Sequence, residues 1–372
     1  MPDFAYSSTI TRSPASAMTG ITDLDLRVAE SGALVLYATS RSGMTISEYT
    51  ISGNVPFTGF TALPTDIADL GFITSGGSNF AFGLGPGLVD PVLWDVTSDG
   101  GFTSPDSLAS GTSTAFGFAA ATTIEVSGNS YFYGAGYSDA DLYSYRVDPS
   151  GTATPVTGNT FPAGASRLFA LEIDGAPLLL STSSEGRSIE SHSIDSNGLL
   201  SFSDSVGALD GLGIAGVTDL VHVAQADGDY IVVAARDSSS LSVLSIDSAG
   251  AMTPGDHIID DLNSRFQNVT ALAGLSVGDR HFIAAGGLDD GVSIFELLPG
   301  GRLLQIETFV DTSDAALNNV SALSMAEIGG VLHLFAGSGD EEGISHFTAT
   351  ASSAPTQTGG AGNDLITGSS RG

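Results

Sequence analysis

The stretch Asp229–Met252, DYIVVAARDSSSLSVLSIDSAGAM, decides the fold because its pattern returns from one end of the chain to the other. Tyr230–Ala235 is almost wholly apolar and rich in β-branched residues, as a strand covered on both faces should be. Arg236–Ser240 is small and polar and reads as a turn. Leu241–Ile246 mixes apolar residues with serines, which suits a second strand with one better-buried face, and Asp247–Gly250 turns the chain again. No helix of useful length fits.

Six further copies lie at Leu34–Gly53, Asn79–Gly100, Ser130–Gly151, Pro177–Gly198, Arg280–Gly300 and Val331–Thr350, making seven. Each follows another apolar segment: ITDLDL from Ile21, IADLGF from Ile67, FAAATT from Phe118, RLFALE from Arg167, VTDLVH from Val217, VTALAG from Val269 and VSALSM from Val320. A less regular fourth segment follows each Gly turn, for example Leu303–Val310. Four short strands at a period of about 40 to 50 residues predict an all-β, seven-bladed β-propeller of four-stranded blades, one domain over residues 1–350. One column within the second strand of each copy sharpens this alignment. It holds Tyr49, Trp94, Tyr145, His192, Leu244, Phe295 and Phe347, and six of the seven are large and apolar. That face is expected to pack on a neighbouring blade. Trp94–Asp95 is the only WD pair, so Trp94 is read as core, and His192 as a packed histidine of the same column.

After Ala349 the chain turns to Ser, Pro, Thr and Gly, leaving the last unit with three strands of its own. Phe4–Thr11, FAYSSTIT, has the character of the missing strand and is expected to close the ring.

Composition narrows the function classes. The net charge is −31, with eleven Arg and no Lys, which argues against nucleic acid or anionic membranes as partners and points to a cation-rich setting. No Cys is present, so disulfides and thiolate metal sites are excluded. No apolar run reaches the roughly 18 residues of a membrane span, and Met1–Arg12 does not read as a secretory signal peptide.

In its blade pattern, carried best by VAESGALVLYATSRSGMTISEYTISG from Val28 and YIVVAARDSSSLSVLSIDSAG from Tyr230, the chain resembles the seven-bladed lactonase-like propellers. The resemblance covers most of Ile21–Thr350 and implies the fold and a site at the channel mouth. The family's catalytic His and Arg constellation has no residue-by-residue match here.

Two sets of residues are candidates for chemistry. The loops between the second and third strands of the blades carry Arg41, Glu185, Arg236, Asp237, Asp289, Asp290, Asp340 and Glu341. Such crowding suits a hard cation such as Ca²⁺, which takes six to eight oxygen ligands, and equally suits a solvated acidic surface. The second set is Asp23, Asp69 and Asp219, which share one position in the first strands of three blades, with His222 three residues past Asp219. First strands line a propeller's channel, where carboxylates serve either as metal ligands and acid–base groups or as acceptors for backbone N–H groups. His257, His281, His333 and His346 show no metal-ligand spacing. GLGPG at Gly83 lacks the lysine and following helix of a phosphate loop.

Residues 351–358, ASSAPTQT, read as a linker. The next nine, from Gly359 to Thr367, fit the pattern GGxGxDxUx at every fixed position and resemble the RTX calcium-binding repeat of proteins exported by type I secretion. That resemblance implies that Asp364 and the backbone at Gly360 and Gly362 hold Ca²⁺ in a β-roll of which residues 359–372 are only the start. It also implies an extracellular location reached without an N-terminal signal. The whole reads as a secreted, monomeric module that binds an extracellular ligand, glycan or protein. The alternative is a lactonase-like or other hydrolase working at the channel mouth.

Overall fold

A computed structural model describes residues 3–11, 18–41, 45–51, 57–62, 67, 69–85, 92–103, 106–107, 118–136, 142–159, 165–183 and 187–350. They form seven four-stranded antiparallel sheets, with one short 3₁₀ turn, Ala208–Asp210, as the helical element among the described residues. Strand β1 (Ala5–Ile10) comes first in sequence but belongs to the last blade. Blade 1 holds β2 (Ile21–Val28), β3 (Leu34–Ser40), β4 (Thr45–Ile51) and β5 (Phe57–Ala62). Blade 2 holds β6 (Asp69–Ser75), β7 (Ser78–Leu84), β8 (Val92–Asp95) and β9 (Asp106–Ser107). Blade 3 holds β10 (Phe118–Val126), β11 (Asn129–Gly136), β12 (Leu142–Val147) and β13 (Ala153–Pro155). Blade 4 holds β14 (Ala165–Ile173), β15 (Ala176–Ser183), β16 (Ser188–Ile194) and β17 (Leu200–Gly207). Blade 5 holds β18 (Val217–Gln225), β19 (Gly228–Ala235), β20 (Ser240–Ile246) and β21 (Met252–Ile259). Blade 6 holds β22 (Ala271–Val277), β23 (Arg280–Gly286), β24 (Gly291–Leu298) and β25 (Arg302–Val310). Blade 7 holds β26 (Val320–Ile328), β27 (Val331–Ser338) and β28 (Ile344–Thr350), and β1 pairs with β28 as its fourth strand. The expected ring closure is therefore present. Phe4 and Ile10 are buried at that seam.

The turns explain why the repeat keeps its Asp-x-x-Gly. Asp247 Oδ1 accepts the amides of Ala249 (3.0 Å) and Ala251 (2.9 Å), and Asp195 Oδ1 does the same for Asn197 and Leu199 (both 2.8 Å). Each side chain thus stands in for the backbone partners the turn lacks. Gly250 sits at φ +84°, where a side chain is strained, and a Cβ there would press on Ser203 at 2.9 Å. Its carbonyl accepts Ser191 Oγ of the previous blade at 2.5 Å, so the turn also ties two blades together.

The core lies between blades. All seven residues of the aromatic column are buried, and Trp94, Tyr49 and Leu244 are wholly inaccessible. Tyr49 packs with Ala322 and Phe335 of blade 7, Trp94 with Val35 and Ile46 of blade 1, and Phe347 with Phe282 and Ile294 of blade 6. The column therefore seats each blade on the one before it. His192 is buried too, edge-on to Phe202, and burial lowers its pKa, so it packs as a neutral ring.

Candidate functional site

Five of the seven innermost strands carry a β-bulge near their start, between Ile21 and Asp23, Phe118 and Ala120, Ala165 and Arg167, Val217 and Asp219, and Val320 and Ala322. A bulge re-aims the next side chain. In these five blades the position after the bulge is Asp23, Ala120, Arg167, Asp219 and Ala322, and its counterpart in the two blades without a bulge is Asp69 and Ala271. All seven line a cavity of about 400 Å³ at the channel mouth. The three aspartates that share a column in the sequence are thus brought to one cavity.

In blades 5, 6 and 7 the Thr or Ser just before this position bonds the next blade, whereas Thr22 of blade 1 bonds Thr39 of its own blade at 2.7 Å. Thr218 Oγ1 donates to Val269 O (2.9 Å), Thr270 Oγ1 to Val320 O, and Ser321 Oγ to Ile21 O (2.5 Å). Two aspartates make a second kind of link. Asp23 Oδ2 accepts the amide of Leu70 (3.0 Å), and Asp219 accepts those of Leu220 and Leu272 (both 2.8 Å). Arg167 Nε donates to Thr218 O of the next blade at 2.7 Å. Asp23 and Asp219 are therefore acceptors for backbone N–H groups, one of the two uses read from the sequence.

The electrostatics set these groups apart from surface carboxylates. Burial, together with the charges of Asp69 and Asp25, pushes Asp23 well above the usual range. Asp69 is pushed up to about 6 by burial, against the pull of Arg167 and with the push of Asp219 and Asp25. Burial also raises Asp219, although the Leu272 and Leu220 amides and Arg167 oppose it. Asp25, two residues along β2 and so on the same face as Asp23, is raised by burial and steadied by Arg27 at 3.3 Å.

Arg167 completes the charged lining, Asp25 adds its charge from β2, and both are absent from the candidates named in the sequence. Asp25 had a signal, since it follows Asp23 at the strand period; Arg167 is two residues off the aspartate column in the aligned segments, and the register of β14 on β15 brings it there. His222 is a correction. Its odd offset from Asp219 puts it on the other face of β18, where Nε2 is bonded to Asp229 Oδ1 at 2.7 Å. It does not reach the cavity.

The loop candidates brace the connections between blades. Asp290 Oδ1 accepts the amide of Asn319 (3.2 Å), Glu341 Oε2 that of Asn318 (3.2 Å), and Asp340 bonds the Asn319 side-chain amide. Three carboxylates thus hold one corner, where Asn319 adopts φ +51°. Arg236 and Asp237 pair with each other at 3.0 Å on the surface, and the Arg41 amide bonds Gly20 O at 2.9 Å. Asp289 is raised to about 6 by burial and by the Asp260 charge, opposed by Arg265. Glu185, Asp364, Gly360 and Gly362 lie outside the described residues. Among the described residues no group of three or more His, Asp or Glu side chains is disposed to hold a metal ion. His333 and His346, far apart in sequence, do meet: Nδ1 and Nε2 are 2.9 Å apart with near-parallel rings, His346 stacks on Phe335, and burial followed by the His333 charge lowers His346 to about 4. The pair is neutral packing in blade 7.

No family model and no curated protein matches this chain. Solved structures do. A functionally unknown protein from Desulfotomaculum acetoxidans aligns with a TM-score of 0.56 at 12% identity, covering 83% of this chain and 97% of that one. A protein from Lactobacillus plantarum aligns with a TM-score of 0.55 at 14% identity, covering 83% and 96%. At such identities the likeness is one of fold, and it joins the chain to the seven-bladed β-propellers.

Proposed function

We propose that the chain is an extracellular binding module that holds a small cationic ligand at the channel mouth. The observation that carries this reading is the unequal lining: Asp23 and Asp69 stand on the adjacent blades 1 and 2 and Asp219 on blade 5, with Asp25 near Asp23, while Ala120, Ala271 and Ala322 occupy the same position in blades 3, 6 and 7. Arg167 and Arg27 do not offset four carboxylates, and both already face protein oxygens. An ammonium or guanidinium group would find carboxylates at blades 1, 2 and 5 and room over the alanine methyls between them. The same reading makes residues 359–367 a calcium-binding turn of the RTX type in a protein exported by type I secretion. The acidic, lysine-free and cysteine-free composition suits that route.

Calorimetric titration with small monoamines and guanidines tests the channel site. Binding is expected to be lost in Asp69→Ala and kept in Asp279→Ala, an exposed carboxylate away from the cavity. Equal loss in both variants, or no binding to the wild type, would overturn it. One observation favours a hydrolase instead: Asp69 titrates near 6, in the range of a general base, beside Arg167. Turnover of fluorogenic esters or lactones that disappears in Asp69→Asn would establish that reading.

A further inference from the structure

Nine large apolar side chains stand exposed among the described residues, and five of them, Leu209, Ile259, Leu262, Leu288 and Val310, lie in the connections and strand ends at the channel-mouth side of blades 4 to 6. Backbone links place them around one rim. The Leu288 amide bonds Gln267 O at 2.8 Å, the Asp311 amide bonds Asp290 O at 2.9 Å, and Asn263 O accepts Gln305 Nε2 and Thr308 Oγ1 at 2.7 and 3.1 Å. Leu262, Leu288 and Val310 thus gather where the connection from blade 5 crosses blade 6. Ile259 precedes Leu262 by one short turn. Leu209 sits on the neighbouring connection, which runs past His257 at Gly213.

The loop that displays Leu262 is firmly held, so this exposure does not come from a slack backbone. Asp260 Oδ1 accepts both Ser264 Oγ (2.7 Å) and the Phe266 amide (3.0 Å), Asp261 Oδ1 accepts the Asn263 amide (2.7 Å), and Phe266 is buried beneath. Leu262 is nonetheless 93% exposed and Leu209 fully so. Single exposed leucines are ordinary; a cluster on braced loops marks an interaction surface. The charges around it select the partner. Asp210, Asp260, Asp261, Asp290 and Asp311 intersperse the apolar groups, whereas Arg236 is paired with Asp237 and Arg265 donates to Ser264 O. A second copy would bring the same negative rim, and anionic lipid would be repelled.

We propose that this rim docks a protein segment whose lysines or arginines flank an apolar stripe, at a surface separate from the channel. The probe is a synthetic amphipathic peptide of leucine and lysine at helical spacing, with a control peptide carrying serine in place of leucine. Fluorescence anisotropy is expected to show the leucine peptide binding at least tenfold more tightly than the control. The doubly substituted Leu262→Ser, Leu288→Ser protein is expected to lose at least tenfold of that affinity, and Asp69→Asn to lose none. Both substituted leucines are exposed, so the variant keeps its core. Equal binding of the leucine peptide to the variant would reduce the attraction to net charge and overturn the proposal. So would sedimentation showing that the wild type self-associates through this rim, or flotation with neutral lipid vesicles that the leucine substitutions abolish.

Discussion

The junction between blades 5 and 6 and the junction between blades 6 and 7 join the same two kinds of strand with different chemistry. At the first, Thr218 bonds the Val269 carbonyl and Asp219 also takes the Leu272 amide. At the second, Thr270 bonds the Val320 carbonyl and the position of Asp219 is occupied by Ala271. The ring therefore closes at some junctions with a neutral hydroxyl alone. The hydroxyl donates to a carbonyl and the carboxylate accepts an amide, so the buried carboxylate is a costly addition that the neighbouring junction does without. Architecture does not demand Asp23, Asp69 or Asp219, and the molecule supplies its own control for that statement. What distinguishes the carboxylate positions of blades 1, 2 and 5 is the charge they add to the channel mouth, and this is why the functional reading rests there.

The largest effect is expected where a junction depends on a strand from the far end of the chain. Deleting residues 1–11 removes β1, unpairs β28 and exposes an edge. Phe4 and Ile10 each contribute about 1.5–3 kcal/mol by burial, so the melting temperature should fall by several degrees and aggregation should rise. An unchanged melting curve would show that the seam is dispensable. Next comes the contrast itself. Asp219→Leu strands the Leu220 and Leu272 amides, at about 1–3 kcal/mol each, and Asp219→Asn keeps an acceptor and should recover much of the loss. Thr270→Val removes one neutral hydrogen bond, worth about 1 kcal/mol. Urea unfolding of the three variants orders them. If Thr270→Val proved the most damaging, the neutral hydroxyl bond would be the stronger tie and the expected order would be wrong.

The repeat made the ring legible in the sequence, because four strands at a steady period have few other ways to bury their apolar faces. The column from Tyr49 to Phe347 located the packing between blades, and the Ser, Pro and Gly after Ala349 pointed to the borrowed strand. The channel was only half legible. Asp23, Asp69 and Asp219 stood out because they share a residue type, whereas Arg167 falls two residues off their column in the aligned segments and reaches it through the register of β14 on β15. The bulges that aim this column inward leave no mark in the sequence, since each inserts one residue whose identity varies. The link from Asp23 to Leu70 spans 47 residues and the brace from Asp290 to Asn319 spans 29, and no local pattern announces either. His222 misled because nearness along a strand is not nearness in space.

The smallest effect, and the one that separates the two kinds of blade most cleanly, is the response to pH. Asp69 has its pKa raised to about 6 from an ordinary 3.8, chiefly by burial. A group raised in the folded state favours folding while it is protonated, and that contribution is lost as pH rises through the folded value. Stability should therefore climb slightly as pH falls from about 7 to about 5, before protonation of other carboxylates reverses the trend. Asp23 and Asp219 are raised as well and act in the same direction. Asp69→Asn should flatten the rise, because an amide keeps the shape and removes the proton. Blades 3, 6 and 7, with Ala120, Ala271 and Ala322 at this position, contribute no such dependence there. Binding of a cation should run the opposite way and weaken as Asp69 takes up its proton. Calorimetric melting between pH 5 and 7, wild type against Asp69→Asn, measures the difference. Parallel curves would mean that Asp69 is ionised throughout this range and that the channel charge is fixed.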